Sequence, residues 1–260
     1  MSSVINEVMG KLGLARVYLD YEADTQFLEP NDADYYDDLM QFRSAKVMGV
    51  PQGADEDDEE EPAAVELGSI SGYLFLFGGA LNAGIDLVRE ADNWSQDSYG
   101  AAEVLRYLYE DDDWRMDSFN HNGLYIHEMF IKPEYRGCRL GEVVLRRFVD
   151  RVDPSSLFAI VLCPNSRYFF ENKKETASDP LYGLDKAPAQ AKLEAWYKSL
   201  GFKKLVDEIP GLPEGENDFH FWGMDGDQHS PNWRFHTKKP KKRTRKAKTA
   251  ASTAKSGAAL

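Results

Sequence analysis

Short apolar blocks separated by Gly, Pro, Asn and Asp run along most of this chain, and their spacing switches several times between strand-like and helix-like periods. LARVYLDY, residues 14–21, reads as a first strand. Pro30-Asn31-Asp32 then supplies a helix start, with Tyr35, Tyr36, Leu39, Phe42 and Arg43 following and an end before Gly49. VELGSISGYLFLF, residues 65–77, is extended, either as one long strand or as a hairpin turning near Ser71-Gly72. From Gly78 the chain is rich in Gly, Asn and Asp and reads as loop, except that IDLVREA, residues 85–91, has the pattern of a short helix. Ser98 is placed to cap a longer helix through Ala102, Leu105, Leu108 and Tyr109, which stops at Asp111 to Asp113.

The second half is more regular. LYIHEMFI, residues 124–131, is a strand that Pro133 terminates. In simple alternation Leu124, Ile126, Glu128 and Phe130 share one face, and Tyr125, His127, Met129 and Ile131 the other. After the decapeptide KPEYRGCRLG, residues 132–141, Leu140, Val144 and Phe148 recur at four-residue spacing beside a row of Gly141, Leu145, Val149 and Val152, which outlines a helix with a wide apolar face. SLFAIVLC, residues 156–163, is a continuous apolar run of buried-strand length, closed by Pro164-Asn165. Pro188 opens a further helix that Gly201 ends, and KKLVDEI and DFHFWGM supply the last two strands.

Chemistry first shows in the decapeptide. A loop between a strand and a helix presents amide groups without intrahelical partners and the positive end of the helix dipole, while Gly137 and Gly141 allow close approach to the main chain. Arg136 and Arg139 add guanidinium groups suited to phosphate oxygens. The loop has the makings of a pyrophosphate cradle.

These residues resemble the acetyl-coenzyme A signature of the GNAT family of N-acetyltransferases, R/Q-x-x-G-x-G/A: Arg136 matches its first position and Gly141 its last, with Arg139 standing where the middle glycine belongs. LEAWYKSLGFKKL, residues 193–205, is similar to a second block of the family through Tyr197, Gly201 and Phe202. The resemblance implies an α/β fold with a mixed, mostly antiparallel central sheet flanked by helices, here with two insertions, residues 78–118 and 166–187. It implies acetyl-CoA as cosubstrate, held by Arg136, Gly137, Cys138, Arg139, Leu140 and Gly141, by the main chain of Met129 and Ile131, and by Asn165 at the end of the following strand. Arg139 either turns away from the phosphates or contacts them.

An amine attacking a thioester loses a proton, and the departing thiolate gains one, so a base and a weak acid suffice, without metal. Tyr197 is the candidate acid, with core packing as its alternative reading, and Glu128, a carboxylate on an otherwise apolar row, is the candidate base; His127 is its rival. The activity implied is acetyl transfer to an amine by direct attack in a ternary complex. The second reading is a catalytically weak binding protein on the same fold, whose tail contacts nucleic acid or an acidic partner.

Charge alters this picture more by its distribution than by its total of −13. Nine Lys and Arg with no acid fall between Lys238 and Lys255, leaving 22 basic against 44 acidic residues, a balance of −22 over the rest. Residues 1–237 therefore read as an acidic acetyltransferase-like domain and 238–260 as a disordered basic tail with the charge to engage nucleic acid. Residues 53–62 read as an acidic loop drawn to that tail at low salt. An acidic body suits polyamines, aminoglycosides or basic peptides as acceptor, and the aromatic insertions leave a homodimer open. Two cysteines without metal-ligand spacing, no span-length apolar run and no basic, apolar leader lead to the expectation of a cytoplasmic protein without membrane contact.

Overall fold

The computed structural model describes residues 2–21, 39–52, 64–110, 121–152, 157–164, 186–205 and 221–225. They form a mixed α/β architecture in which seven strands make one sheet, mostly antiparallel, flanked by helices. The strands are β1 (Leu14–Tyr21), β2 (Met40–Pro51), β3 (Val65–Leu76), β4 (Asn122–Ile131), β5 (Leu157–Leu162), β6 (Lys203–Lys204) and β7 (Trp222–Asp225). Their spatial order is β1-β2-β3-β4-β5-β7-β6, with β4 and β5 the parallel pair.

Helices cover both faces. On one lie α1 (Ser2–Leu12), α5 (Leu140–Val152) and α6 (Lys186–Leu200), sharing a core with Val47, Ile70, Leu74, Leu124, Ile126 and Ile160 of the sheet. From α5, Leu140, Val144, Leu145, Phe148 and Val149 are almost wholly buried there. Each such side chain stabilises the fold by about 1.5–3 kcal/mol, which is why the four-residue spacing read from the sequence holds. On the opposite face α2 (Phe77–Ala83), α3 (Leu87–Asp92) and α4 (Gln96–Glu110) bury Phe75, Tyr125, Phe158 and Val161.

Several readings change. The helix expected to run to Gly49 is replaced over residues 40–51 by β2, whose Ala45, Val47 and Gly49 are buried between pairings with β1 and β3. Pairing on both sides overrides a helical spacing that rested on few residues; the start of that helix, residues 30–38, lies outside the described residues. β3 is one long strand without a turn at Ser71-Gly72. FGGALNA forms α2 despite its glycines, because Phe77 and Ala80 bury against the sheet. α4 is capped by Ser95, whose hydroxyl accepts from Ser98 N at 3.1 Å, while Ser98 itself is buried inside the helix and donates to Ala91 O at 2.8 Å. Helix α1 was unforeseen, although Val4 and Val8 sit at helical spacing and pack on the first core. The acidic loop, most of the 166–187 insertion and the basic tail lie outside the described residues. Among those residues no helix is long and apolar enough to cross a membrane.

The strands at the centre differ in how far they stay paired. β4 pairs with β3 along its whole length, from Asn122↔Leu76 to Ile131↔Gly68, but with β5 only from Asn122 to Ile126. Five residues of β4, 127–131, run on past the end of that parallel pairing. Close approach of β3 keeps them in place: a Cβ on Gly68 would run into the Phe130 carbonyl oxygen. Gly68→Ala is expected to lower stability by about 1–3 kcal/mol through strand separation at that point, measured as a lower urea midpoint with unchanged slope.

Candidate functional site

The parallel pairing of β4 and β5 ends at Ile126 and Leu162, while β4 continues to Ile131 and leads into the 132–141 loop. There Pro133–Tyr135 make a single 3-10 turn and the chain enters α5 through Gly137 at φ 79° and Arg139 at φ 72°. Alternation of left- and right-handed backbone makes a concave nest of amides. Those of Gly137, Cys138, Leu140 and Gly141 find no acceptor among the described residues, so the nest is available to an anion.

Arg139 occupies the backbone conformation that a glycine would adopt freely, at a cost of about 1–2 kcal/mol for a side chain. Its Nε donates to Glu142 Oε2 at 2.9 Å, and Glu142 Oε1 accepts from Arg146 Nη2 at 2.9 Å. Glu142 and Arg146 are both buried, so the carboxylate joins the loop to the inside of α5. Burial lowers the Arg146 pKa from its ordinary value, and the Glu142 charge opposes that. The Arg139 side chain is thus engaged toward α5 while its main chain keeps the glycine-like shape.

The other loop residues divide their tasks. Arg136 donates Nε to Ile131 O at 2.6 Å and lies over the Phe130 ring, tying the loop to the end of β4. Cys138 is buried, its thiol donating to Tyr135 O at 3.2 Å, and Leu140 is a core residue. Gly141 faces Trp196 of α6, whose ring would lie 3.3 Å from an added Cβ, so this glycine serves helix packing. Met129 packs against the α5-side core and Ile131 is buried there. Asn165 lies outside the described residues.

The facing of β4 differs from simple alternation. Ser71 pairs with Glu128 and Gly72 with Ile126, so His127 is an extra residue, a β-bulge. Ile126 and Met129 therefore share the α5 side, while Tyr125, His127 and Glu128 all belong to the opposite side. Glu128 is exposed and not on an apolar row. It lines a cleft of about 230 Å³ with Ser44, Lys46, Glu66, Ser69 and Ser71. His127, expected to point away from Glu128, is also exposed on the same side.

Cys163 directly follows β5, and Tyr197 of α6 lies close enough to it for their charges to interact. Tyr197 is 7% exposed, packed against Trp196 and Phe202. Burial pushes its hydroxyl above the ordinary tyrosine range, with the nearby Cys163 adding to the effect, so it stays protonated and able to donate. Burial likewise pushes the Cys163 thiol up to about 12, with Asp97 and Glu194 contributing charge. Sequence reasoning missed Tyr73, Tyr125 and Asp97. Tyr125 is buried beside Tyr73 across the β3–β4 pair, and Asp97, at the start of α4, raises the pKa of both, after burial. No sequence signal marked them, since their proximity depends on strand register. Among the described residues no group of three His, Cys, Asp or Glu is placed to hold a metal ion.

No family model and no curated protein matches the sequence. Among solved structures, the chain is similar to a Drosophila melanogaster polyamine N-acetyltransferase, an enzyme that catalyses the formation of N-acetylagmatine, at 13% identity over 62% of this chain and 72% of that one, with TM-score 0.29. It is also similar to an apo mutant form of an agmatine N-acetyltransferase, at 12% identity over 70% and 73%, with TM-score 0.31. At such scores the site stands on its own geometry.

Because the Arg139 main chain is left-handed, Arg139→Gly is expected to be more stable than Arg139→Ala by about 1 kcal/mol, both having lost the Glu142 pair; urea unfolding of the two variants gives the difference. In a Cys138→Ser background, Cys163 should react with a disulfide reagent at pH 8 far more slowly in the folded than in the unfolded protein, since a rise from 9.0 to about 12 leaves on the order of 10³-fold less thiolate. Stopped-flow absorbance with and without denaturant measures the ratio.

Proposed function

We propose that the protein is an acetyl-CoA-dependent N-acetyltransferase acting by direct transfer to an amine. The observation that carries this reading is the end of β4–β5 pairing at Ile126, with β4 running on to Ile131 and then into the amide nest of residues 137–141. A thioester with a pyrophosphate-bearing arm fits such an arrangement, its anionic end on the nest and its arm along β4 residues 127–131. The pyrophosphate would be met by the amides of Gly137, Cys138, Leu140 and Gly141, with Arg136 and Arg139 contributing charge near them. The main chain of Met129 and Ile131, and Asn165, are proposed to hold the arm.

The acetyl-donating thioester supplies an electrophilic carbonyl carbon and a thiolate leaving group. The amine nitrogen bonds to that carbon as the C–S bond breaks, and Glu128 takes the proton the nitrogen loses, directly or through one water in its cleft. Glu128 is open to solvent, which suits a base that must exchange its proton after each turnover. Tyr197, kept protonated by burial, gives its hydroxyl proton to the leaving sulfur. Main-chain N–H groups of β4 that β5 does not engage are available to polarise the carbonyl.

The substituted glycine was the sequence argument for a protein that only binds. Arg139 retains the left-handed backbone, which supports the catalytic reading over that one. The acceptor is an amine, small or on a protein, and the basic tail is proposed as a separate contact for nucleic acid or an acidic partner. The two similar solved structures act on polyamine or agmatine according to their descriptions, and a cationic acceptor is in keeping with the acidic body.

Calorimetry with acetyl-CoA and folded protein should show binding, and absence of heat at high micromolar ligand would remove the enzyme reading. Tyr197→Phe should bind acetyl-CoA as the parent does and turn over on the order of 10²-fold more slowly.

A further inference from the structure

The sheet face opposite α5 carries two adjacent cross-strand rows of different chemistry. In one, Ser44 of β2, Ser71 of β3 and Glu128 of β4 stand in register; in the next, Phe42, Tyr73 and Tyr125 do. The aromatic row is joined by His127 from the bulge and by Trp94 from the turn between α3 and α4. Tyr73 is the hub. It stacks with Tyr125 at 6.4 Å and 10°, making a floor, while Trp94 at 86° and His127 at 69° stand edge-on to it and Phe42 tilts at 52° from 5.1 Å.

Three of these rings are left in solvent. Phe42 is 38% and Trp94 41% exposed, and His127 is exposed as well. Large aromatic rings grouped at the surface mark a binding site more often than a bare surface. Two carboxylates lie close to the group: Glu128 in the next row, and Asp97 at the start of α4, whose charge adds to burial in raising the pKa of Tyr73 and Tyr125. Both are exposed, and neither makes a hydrogen bond or ion pair with a described residue. A cluster of rings with two carboxylates close by matches a substituted ammonium group, which gains from ring quadrupoles and from the anions together. A neutral apolar group would gain only from the rings, and an anion would be repelled.

We propose that Phe42, Tyr73, Trp94, Tyr125 and His127, with Asp97 and Glu128, form a subsite for a substituted ammonium group, the non-reacting cationic end of the acceptor. Describing that group as part of the acceptor rests on the acetyl-transfer reading; the cation site itself does not. Glu128 is then shared, one register position from the aromatic row and just past the end of the β4–β5 pairing. An acceptor with a cationic head and a primary amine a few bonds away would span from the cluster to that point.

The test uses the full-length protein at pH 8 and fixed ionic strength. Tryptophan fluorescence is titrated with choline chloride and, separately, with 3,3-dimethyl-1-butanol, its uncharged isostere, without acetyl-CoA. A saturable change with choline, weakened about tenfold or more in Asp97→Asn and Tyr73→Leu and lost from the signal in the exposed-site variant Trp94→Phe, supports the subsite. No change, or equal responses to charged and neutral probes, overturns it. A dimer that dissociates in Trp94→Phe with no choline response would reassign the patch to self-association and also overturn it. With acetyl-CoA present, KM for 2-aminoethyl-trimethylammonium should be about tenfold or more below that for 3,3-dimethylbutylamine, the difference vanishing in Tyr73→Leu; equal KM values overturn the acceptor assignment. Choline binding without acetyl-CoA binding would leave the cation site standing and remove the acetyl-transfer reading, so the two failures are distinguishable.

Discussion

The hydrogen-bonding capacity of β4 is divided unequally between its neighbours, and the candidate site follows from that division. β3 takes all of one edge, while β5 takes only the first half of the other. A strand edge left without its ladder partner is costly when buried and useful when a ligand supplies the missing bonds. Here the stretch beyond the β5 pairing leads into a loop in which the amides of Gly137, Cys138, Leu140 and Gly141 have no acceptor among the described residues, so two sets of main-chain groups follow one another along the chain. Side chains then tune what the backbone has arranged. Arg136 ties the loop to Ile131, and Glu142 holds Arg139 against the first turn of α5.

Packing explains why this division is stable. The α5 face of the sheet is covered by three helices that bury branched and aromatic residues from every central strand, and the opposite face by the three helices between β3 and β4. That second group, read from sequence as a helical insertion with a loop-like start, builds the smaller of the two core clusters with the sheet and also positions Trp94 and Asp97. The two faces hold different polar equipment. The buried pair Glu142–Arg146 lies on the α5 side, whereas Glu128 and Asp97 are exposed on the other. A donor and an acceptor of opposite charge would thus approach from opposite faces of one sheet.

Much of this was legible because it depends on local pattern. Leu140 to Val152 declared a helix by spacing and Leu157 to Leu162 a buried strand by continuous apolarity. The errors came where nonlocal pairing decides. Residues 40–51 carry a weak helical spacing that two neighbouring strands override. Glu128 was placed on the wrong face because alternation counts residues and cannot see an extra one. The aromatic cluster was illegible for the same reason: Phe42, Tyr73 and Tyr125 are far apart in sequence and become a row only through register.

The bulge at His127 makes pairing register, rather than residue identity, the determinant of which side of the sheet each functional group serves. Were residues 122–131 paired with β3 by unbroken alternation from Ile126, Glu128 would fall on the α5 side and Met129 on the aromatic side, with every amino acid type retained. The side that the carboxylate serves is therefore written in the number of residues between two paired positions, which a comparison that scores substitutions alone does not see.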